Sequence, residues 1–360
     1  MLRHARSMSS VYASPFRASA LVLALAAAST AMAADNGLQR YSPGIGGSDM
    51  TAPLVPGMYF QLPVVAYHAN KMKGNDGNDA MGAATVSGVP VTYKTNIEAD
   101  VTALQPRFTY LSTTRVLGAN LGFTAMLPIV QRKVNLSASN ITLGATLPPV
   151  MAQAITSGVA TNVAAASSSA TGFGDLEVSP ILHWEIGDHQ AVTLAPTLVL
   201  PTGQYDAKKR ANPGYGNYYT FRPSIQYAFI GDGWDLGARL VLSFNTRNKD
   251  NGYYTGNIAN IDWQAMKFVS DDVRIGLQGY FVRQYTKDTQ DLSGFSASDA
   301  ALFRRDIVSG NKMSVNGIGP AIAWLKNGGE MLVEGKFLQE FSARNRTEGQ
   351  AFWLTVSKPL

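Results

Sequence analysis

The chain has 360 residues, 46 % hydrophobic and 15 % charged, with no cysteine, a formal charge of +5 and a mean hydropathy of −0.03. The lack of cysteine excludes a disulfide framework, a thiolate nucleophile and any Cys-ligated metal site. Beyond the N-terminal region no stretch nears the about 18 consecutive apolar residues of a helical span, which leaves membrane-crossing strands open, since these hide half their residues from lipid.

Arg3, Arg6 and Arg17 precede an apolar core over 18–28, and Ala31-Met32-Ala33 forms an A-x-A cleavage site, so residues 1–33 read as a secretory signal with a mature chain from Ala34. Removing its three arginines lowers the formal charge from +5 to +2. The remaining basic clusters, such as Lys208-Lys209-Arg210, are isolated in predicted loops rather than gathered on a face, so no nucleic-acid partner is expected. Residues 34–56 are rich in Gly and Pro and lack alternation, which predicts a periplasmic segment or a plug folded into a lumen.

From there the periodicity becomes two. Trp234, Leu236, Ala238, Leu240, Leu242 and Phe244 share one face, against Asp235, Gly237, Arg239, Ser243 and Asn245 on the other. Tyr219 to Phe229 alternates likewise and meets this run at Gly231-Asp232-Gly233, a hairpin signal. Twelve strand candidates follow, at 57–69, 93–112, 117–131, 174–186, 190–201, 218–230, 234–245, 257–269, 273–285, 312–325, 330–342 and 349–359. Tight turns at Thr113-Thr114, Gly187-Asp188, Asp232, Asp271-Asp272 and Asn327-Gly328-Gly329 alternate with long loops, notably 131–172, 202–217, 245–256 and 285–311. Short turns on one side and long loops on the other, with an even count, predict an all-β, antiparallel up-and-down barrel over 57–360, in the outer membrane of a Gram-negative cell, both termini periplasmic. The low-complexity loop 152–171 reads as a short helix, an inward constriction or disorder.

Trp184, Tyr227, Phe229, Trp234 and Trp324 lie within a few residues of the predicted periplasmic turns, the position of an aromatic girdle at the lipid headgroups. Pro180, Pro196, Pro223 and Pro320 fall inside strands, where each removes a ladder donor; they predict bulges or a distortion that opens the wall to an apolar solute.

Gly172-Phe-Gly-Asp-Leu-Glu-Val-Ser-Pro180, the Leu200-Pro-Thr-Gly-Gln-Tyr-Asp206 run with Asn212-Pro213-Gly214 and Phe221-Arg222-Pro223, Tyr41-Ser42-Pro43-Gly44, and Gly317-Ile318-Gly319-Pro320 together resemble an outer-membrane family named for the meta-pathway of phenol degradation. The resemblance implies a barrel that passes hydrophobic or aromatic compounds, with no catalytic residues to carry over. Such barrels commonly end on an aromatic residue, whereas this chain ends on Leu360, so recognition by the outer-membrane assembly machinery is expected to be atypical.

The inward phase carries both signs: Arg107, Arg222, Arg239, Arg274 and Lys336 against Glu177, Glu185, Asp235, Asp262, Glu334 and Glu340, with His183 among them. Mixed signs predict ion pairs across strands or a salt-bridged plug, and weak ion selectivity, rather than the one-sign ring of a selective pore. The histidines show no metal spacing and no G-x-S-x-G occurs, so no cofactor and no enzyme activity are expected. The leading reading is a passive channel for small hydrophobic or aromatic solutes. A structural or adhesion barrel with partner-binding loops, and a barrel hydrolase using His183, are the alternatives.

Overall fold

A computed structural model describes residues 39–304, 312–327 and 329–360. The secretory signal and residues 34–38 of the N-terminal segment lie outside the described residues. Alternation yields twelve antiparallel strands: β1 (Gly57–Lys73), β2 (Val89–Leu104 and Arg107–Val116), β3 (Ala119–Met126 and Ile129–Leu143), β4 (Ser168–Phe173 and Glu177–Ile186), β5 (Gln190–Val199), β6 (Thr220–Gly231), β7 (Trp234–Asn245), β8 (Ile258–Phe268), β9 (Val273–Gln284), β10 (Ser314–Lys326), β11 (Met331–Arg344) and β12 (Arg346–Pro359). Each pairs with its sequence neighbour, and β12 pairs with β1 from Tyr59↔Pro359 to Lys73↔Arg346, closing the barrel. Closure removes every edge, the only way a sheet can cross a bilayer with its backbone satisfied.

Outward positions are apolar and exposed, among them Phe108, Phe123, Leu240, Ile275 and Phe352. The girdle candidates Tyr227, Trp234 and Trp324 stand exposed on this face near the periplasmic turns, with Trp184 and Phe229 half-buried beside them. Trp184 Nε1 donates to Leu117 O (3.0 Å) and Tyr227 donates to Gln190 (3.0 Å), which ties the rings to the turn level.

The first periplasmic turn is not at Thr113-Thr114. It lies at Leu117-Gly118, both in the left-handed region (φ 52° and 81°), while the two threonines sit in a bulge where the β2–β3 register jumps between Leu111 and Arg115. A bulge absorbs extra residues without ending the strand, and so mimics a turn in sequence. The β6–β7 hairpin turns at Asp232-Gly233, also with positive φ at both residues (52° and 76°), the geometry that matches strand twist.

The loop expected over 131–172 is in fact mostly ordered: β3 continues to Leu143, helix α1 (Pro149–Ala165) follows, and β4 begins at Ser168. The two segments of β2, β3 and β4 meet at one level, where Gln105 N donates to Pro63 O (2.9 Å), Leu127 N to Pro106 O (3.3 Å) and Gly174 N to Pro128 O (2.8 Å). The prolines supply acceptors but no donors, so the ladder kinks there and resumes. Above the kink an outward row of His68, Asp100 and Lys133, opposite one another across β1, β2 and β3, marks the end of the apolar band. Beyond it the three strands continue as an extracellular lobe, with an accessory strand (Met81–Val86) on β2 filling the space where β1 diverges. Helix α1 has no side-chain N-cap and no acid in its first turn. Its Ile155, Val159 and Val163, at 3, 1 and 8 % exposure, pack with Val91, Tyr93, Ile97 and Leu136, each burial contributing roughly 1.5–3 kcal/mol, and this contact holds the helix.

Candidate functional site

Residues 39–56 run inside the barrel, and their polar backbone is satisfied by inward side chains of the wall. At the extracellular end Arg40 forms an ion pair with Asp175 (3.0 Å), donates to Gly216 O (2.9 Å) and lies over the Tyr218 ring (3.9 Å). Asp175 is also the acceptor for Gly203 N (2.9 Å) and Tyr215 N (3.2 Å), so one carboxylate in the Gly172–Pro180 motif joins β4, the 200–219 loop and the plug. Arg222 donates to Arg40 O (2.9 Å) and pairs with Glu177.

At mid-height Asp262 accepts from Tyr41 Oη (2.5 Å), Gly44 N (3.0 Å) and Gly46 N (2.9 Å). Below it a 3-10 turn, Ser48–Met50, is held on all sides. Glu334 accepts from Ser48 N (2.7 Å), Lys336 donates to Gly46 O (2.8 Å) and pairs with Glu334 (3.2 Å), and Gln226 donates to Met50 O (2.7 Å). Arg274 reaches Ser48 O (3.5 Å) and pairs with Asp235 (2.7 Å), both fully buried. Removing one member of such a pair leaves an uncompensated charge at about 3–5 kcal/mol. Glycine is required where the plug meets the wall: a Cβ on Gly47 would lie 2.7 Å from both Gln278 Oε1 and Lys336 Nζ.

Under the plug lies a cavity of about 670 Å³, roofed by Asp49–Leu54 and reaching the periplasmic turns at Gly187–His189 and Gly329. Of the lumen candidates, Arg107, Glu177, His183, Arg222 and Arg239 line it, with Arg107, Arg222 and Arg239 also contacting the plug; Arg274, Glu334 and Lys336 do not line it and grip the plug. His183, 6 % exposed, bonds through Nδ1 to Thr193 Oγ1 (2.9 Å). Asp49 was not among the sequence candidates, having no strand phase to place it, yet its Oδ2 lies 3.6 Å from Arg107 and 3.3 Å from Arg239. Its one sequence signal is the Gly44-Ile-Gly-Gly-Ser-Asp49 run, whose small residues let backbone N–H groups approach carboxylates.

The cavity also abuts a seam in the wall. The β4–β5 ladder stops at Val178↔Leu198 and resumes at Leu182↔Leu194, leaving Pro180 directly opposite Pro196. Pro196 is in turn aligned with Pro223 of β6, and Pro180 with Phe123 of β3, one row across four strands. Ser179, Ile181 and Ala195, on the inner side of the seam, line the cavity. On β10, Pro320 lies in a shorter interruption, between the Ile318↔Gln339 and Ala321↔Lys336 pairs, with no cavity-lining neighbour in β10 before Leu325.

A sequence profile of the family described as MetA-pathway of phenol degradation matches residues 74–356. The chain belongs to that family. No curated protein matches it. Among solved structures, an outer membrane channel from Pseudomonas putida F1 superposes with a TM-score of 0.62 at 12 % identity, covering 88 % of this chain and 99 % of that one. At that identity the likeness speaks to the fold, a closed outer-membrane barrel. A FadL homologue from Pseudomonas aeruginosa matches at a TM-score of 0.37 and 10 % identity, over 92 % of this chain and 100 % of that one.

Proposed function

We propose that this family member is a passive outer-membrane channel for small hydrophobic, chiefly aromatic, solutes. The observation that carries the reading is the juxtaposition of a plugged lumen, a cavity beneath the plug and a proline-bearing interruption of the β4–β5 ladder in the wall between that cavity and the lipid face. A straight aqueous pore is blocked by residues 39–56, so solute that reaches the cavity leaves either past the periplasmic turns or, when apolar, sideways between β4 and β5. The cavity falls within the roughly 300–1,000 Å³ range of small-molecule sites and mixes apolar wall (Ile181, Met126) with polar groups. The family's link to phenol degradation supports an aromatic cargo. Passage is driven by the concentration gradient alone.

The test is uptake of a labelled, poorly water-soluble aromatic in cells lacking the protein, with and without its restoration, beside a small sugar. Restored uptake of the aromatic alone is the expected result. Equal restoration of both solutes would replace this reading with a general pore, and restoration of neither would overturn it.

A further inference from the structure

We propose that the cavity beneath the plug holds a binding site for small aromatic carboxylates, formed by Arg107 and Arg239, in which the plug's own Asp49 occupies the place of the solute's carboxylate. The inference rests on the channel reading and narrows its cargo.

Two guanidinium groups converge on one carboxylate oxygen, Asp49 Oδ2, at 3.6 and 3.3 Å, while Asp49 Oδ1 is turned back to its own loop and accepts from Gly47 N (2.8 Å). The two arginines are not used equally. Arg239 is satisfied, donating from Nε and Nη2 to Gln226 Oε1 (2.9 and 2.7 Å). Arg107 is held more loosely: besides the 3.6 Å approach to Asp49 it donates to Gln61 Oε1 at 3.3 Å and to the Met126 sulfur at 3.8 Å, a poor acceptor for a planar fork suited to a bidentate carboxylate. Both side chains line the cavity and are largely removed from solvent, at 16 and 13 % exposure.

The anions around the roof are weighted toward Arg222 and Arg239. Arg222 is matched by Glu177, and Arg239 faces Asp262 directly across the β7–β8 ladder besides its contact with Asp49, whereas Arg107 has the longer, 3.6 Å share of Asp49. The other acids on the cavity wall, Glu185 and Asp188, lie toward the periplasmic turns with Lys358 and His189, away from this pair. An incoming anion completes the donor set of Arg107 and places its ring against Met126 and Ile181. It competes with Asp49 for the same guanidinium groups, and so loosens the 3-10 turn through which the plug is anchored. A charged solute held this way leaves past the periplasmic turns rather than through the seam, because the lipid core does not accept its carboxylate.

The test is equilibrium binding by titration calorimetry at pH 8, on the full barrel in detergent, with benzoate and its neutral isostere benzamide. Wild type is expected to bind benzoate at least tenfold more tightly than benzamide, Arg107→Gln to bring that ratio close to one, and Asp49→Asn to raise benzoate affinity at least threefold by removing the competitor. Equal affinity for the two probes in wild type, or an Asp49→Asn variant that keeps its heat-resistant barrel fold and binds benzoate no better, overturns the proposal. If neutral aromatics still cross in the uptake assay, the channel reading stands without it. If no aromatic crosses or binds, both fall.

Discussion

A single residue in this barrel is defined first by which way it points. Leu240 is exposed to lipid at mid-strand, so Leu240→Arg is expected to cost about 2–4 kcal/mol near the bilayer midplane. Ala191, whose side chain enters the cavity, should accept the same change with little loss. Unfolding midpoints in lipid vesicles compare the two, and similar losses would refute the assigned faces. The neighbouring Val241 is no suitable control. Although it points inward as the alternation predicts, it is 1 % exposed and packed in one cluster with Tyr41, so an arginine there would collide with the plug. Periodicity reveals direction; it does not reveal what fills the space beyond. In the extracellular lobe, Lys94 (2.6 Å) and Lys73 (3.1 Å) hold the Asp79 carboxyl below its ordinary value. A carboxyl depressed on folding favours the folded form above the unfolded-state value and loses that contribution as pH falls through the folded one. Exchange of amide protons around the 74–80 loop should therefore accelerate below about pH 4, the ordinary range of an aspartate, and Asp79→Asn should abolish that acid-dependent step. The exposure of Asp79 and Lys94 keeps the effect small.

Among the elements, the regular hairpins were the most legible. The strand read at 234–245 has those bounds in the structure, and β5 to β12 otherwise lie within a few residues of their expected limits. Their alternation is unbroken and their turns carry Gly or Asp. The segments misread were β2 to β4, where the Gln105-Pro106 and Leu127-Pro128 kinks and the Leu111–Arg115 bulge shift the phase, and where the strands outrun the membrane so that their faces are no longer sorted by lipid. The helix of Ala, Val, Thr and Ser was one of three alternatives read for 152–171, and the sequence could not choose among them because its stability comes from the sheet it rests on. Prolines in β4 and β5, by contrast, announced a local fault in the ladder, and the seam lies there. Restoring donors with the double substitution Pro180→Val, Pro196→Val should close that seam and lower uptake of a neutral aromatic several-fold at equal surface expression. Undiminished uptake would send the solute by the periplasmic mouth instead. The inward charges were legible as a set of mixed sign, but not their division of labour, because which of them borders the cavity as well as the plug, as Arg239 does, and which is enclosed against the plug, as Arg274 is, depends on residues 39–56, which have no period to read.

On the scale of the whole molecule, the barrel and its plug share one polar interior. Asp262, Glu334, Lys336, Arg239 and Gln226 all bond to the N-terminal segment, so the lumen is filled by hydrogen bonds rather than by wall side chains alone. Excising residues 42–52 while keeping the signal and β1 should leave a closed barrel and raise its single-channel conductance several-fold in planar bilayers. Unchanged conductance would mean that something else blocks the lumen. The placement of Arg40 also fixes an order of events. The segment preceding β1 reaches the extracellular loops, and β1 is one side of the ladder that closes the cylinder against β12. A chain that returns from the far end of a ring to join its wall is most simply enclosed before the ring is sealed. The expected course of biogenesis is therefore one that gathers the first strand, its leading peptide and the last strand together at the end, so that maturation of this protein amounts to wrapping a wall around a thread already in place.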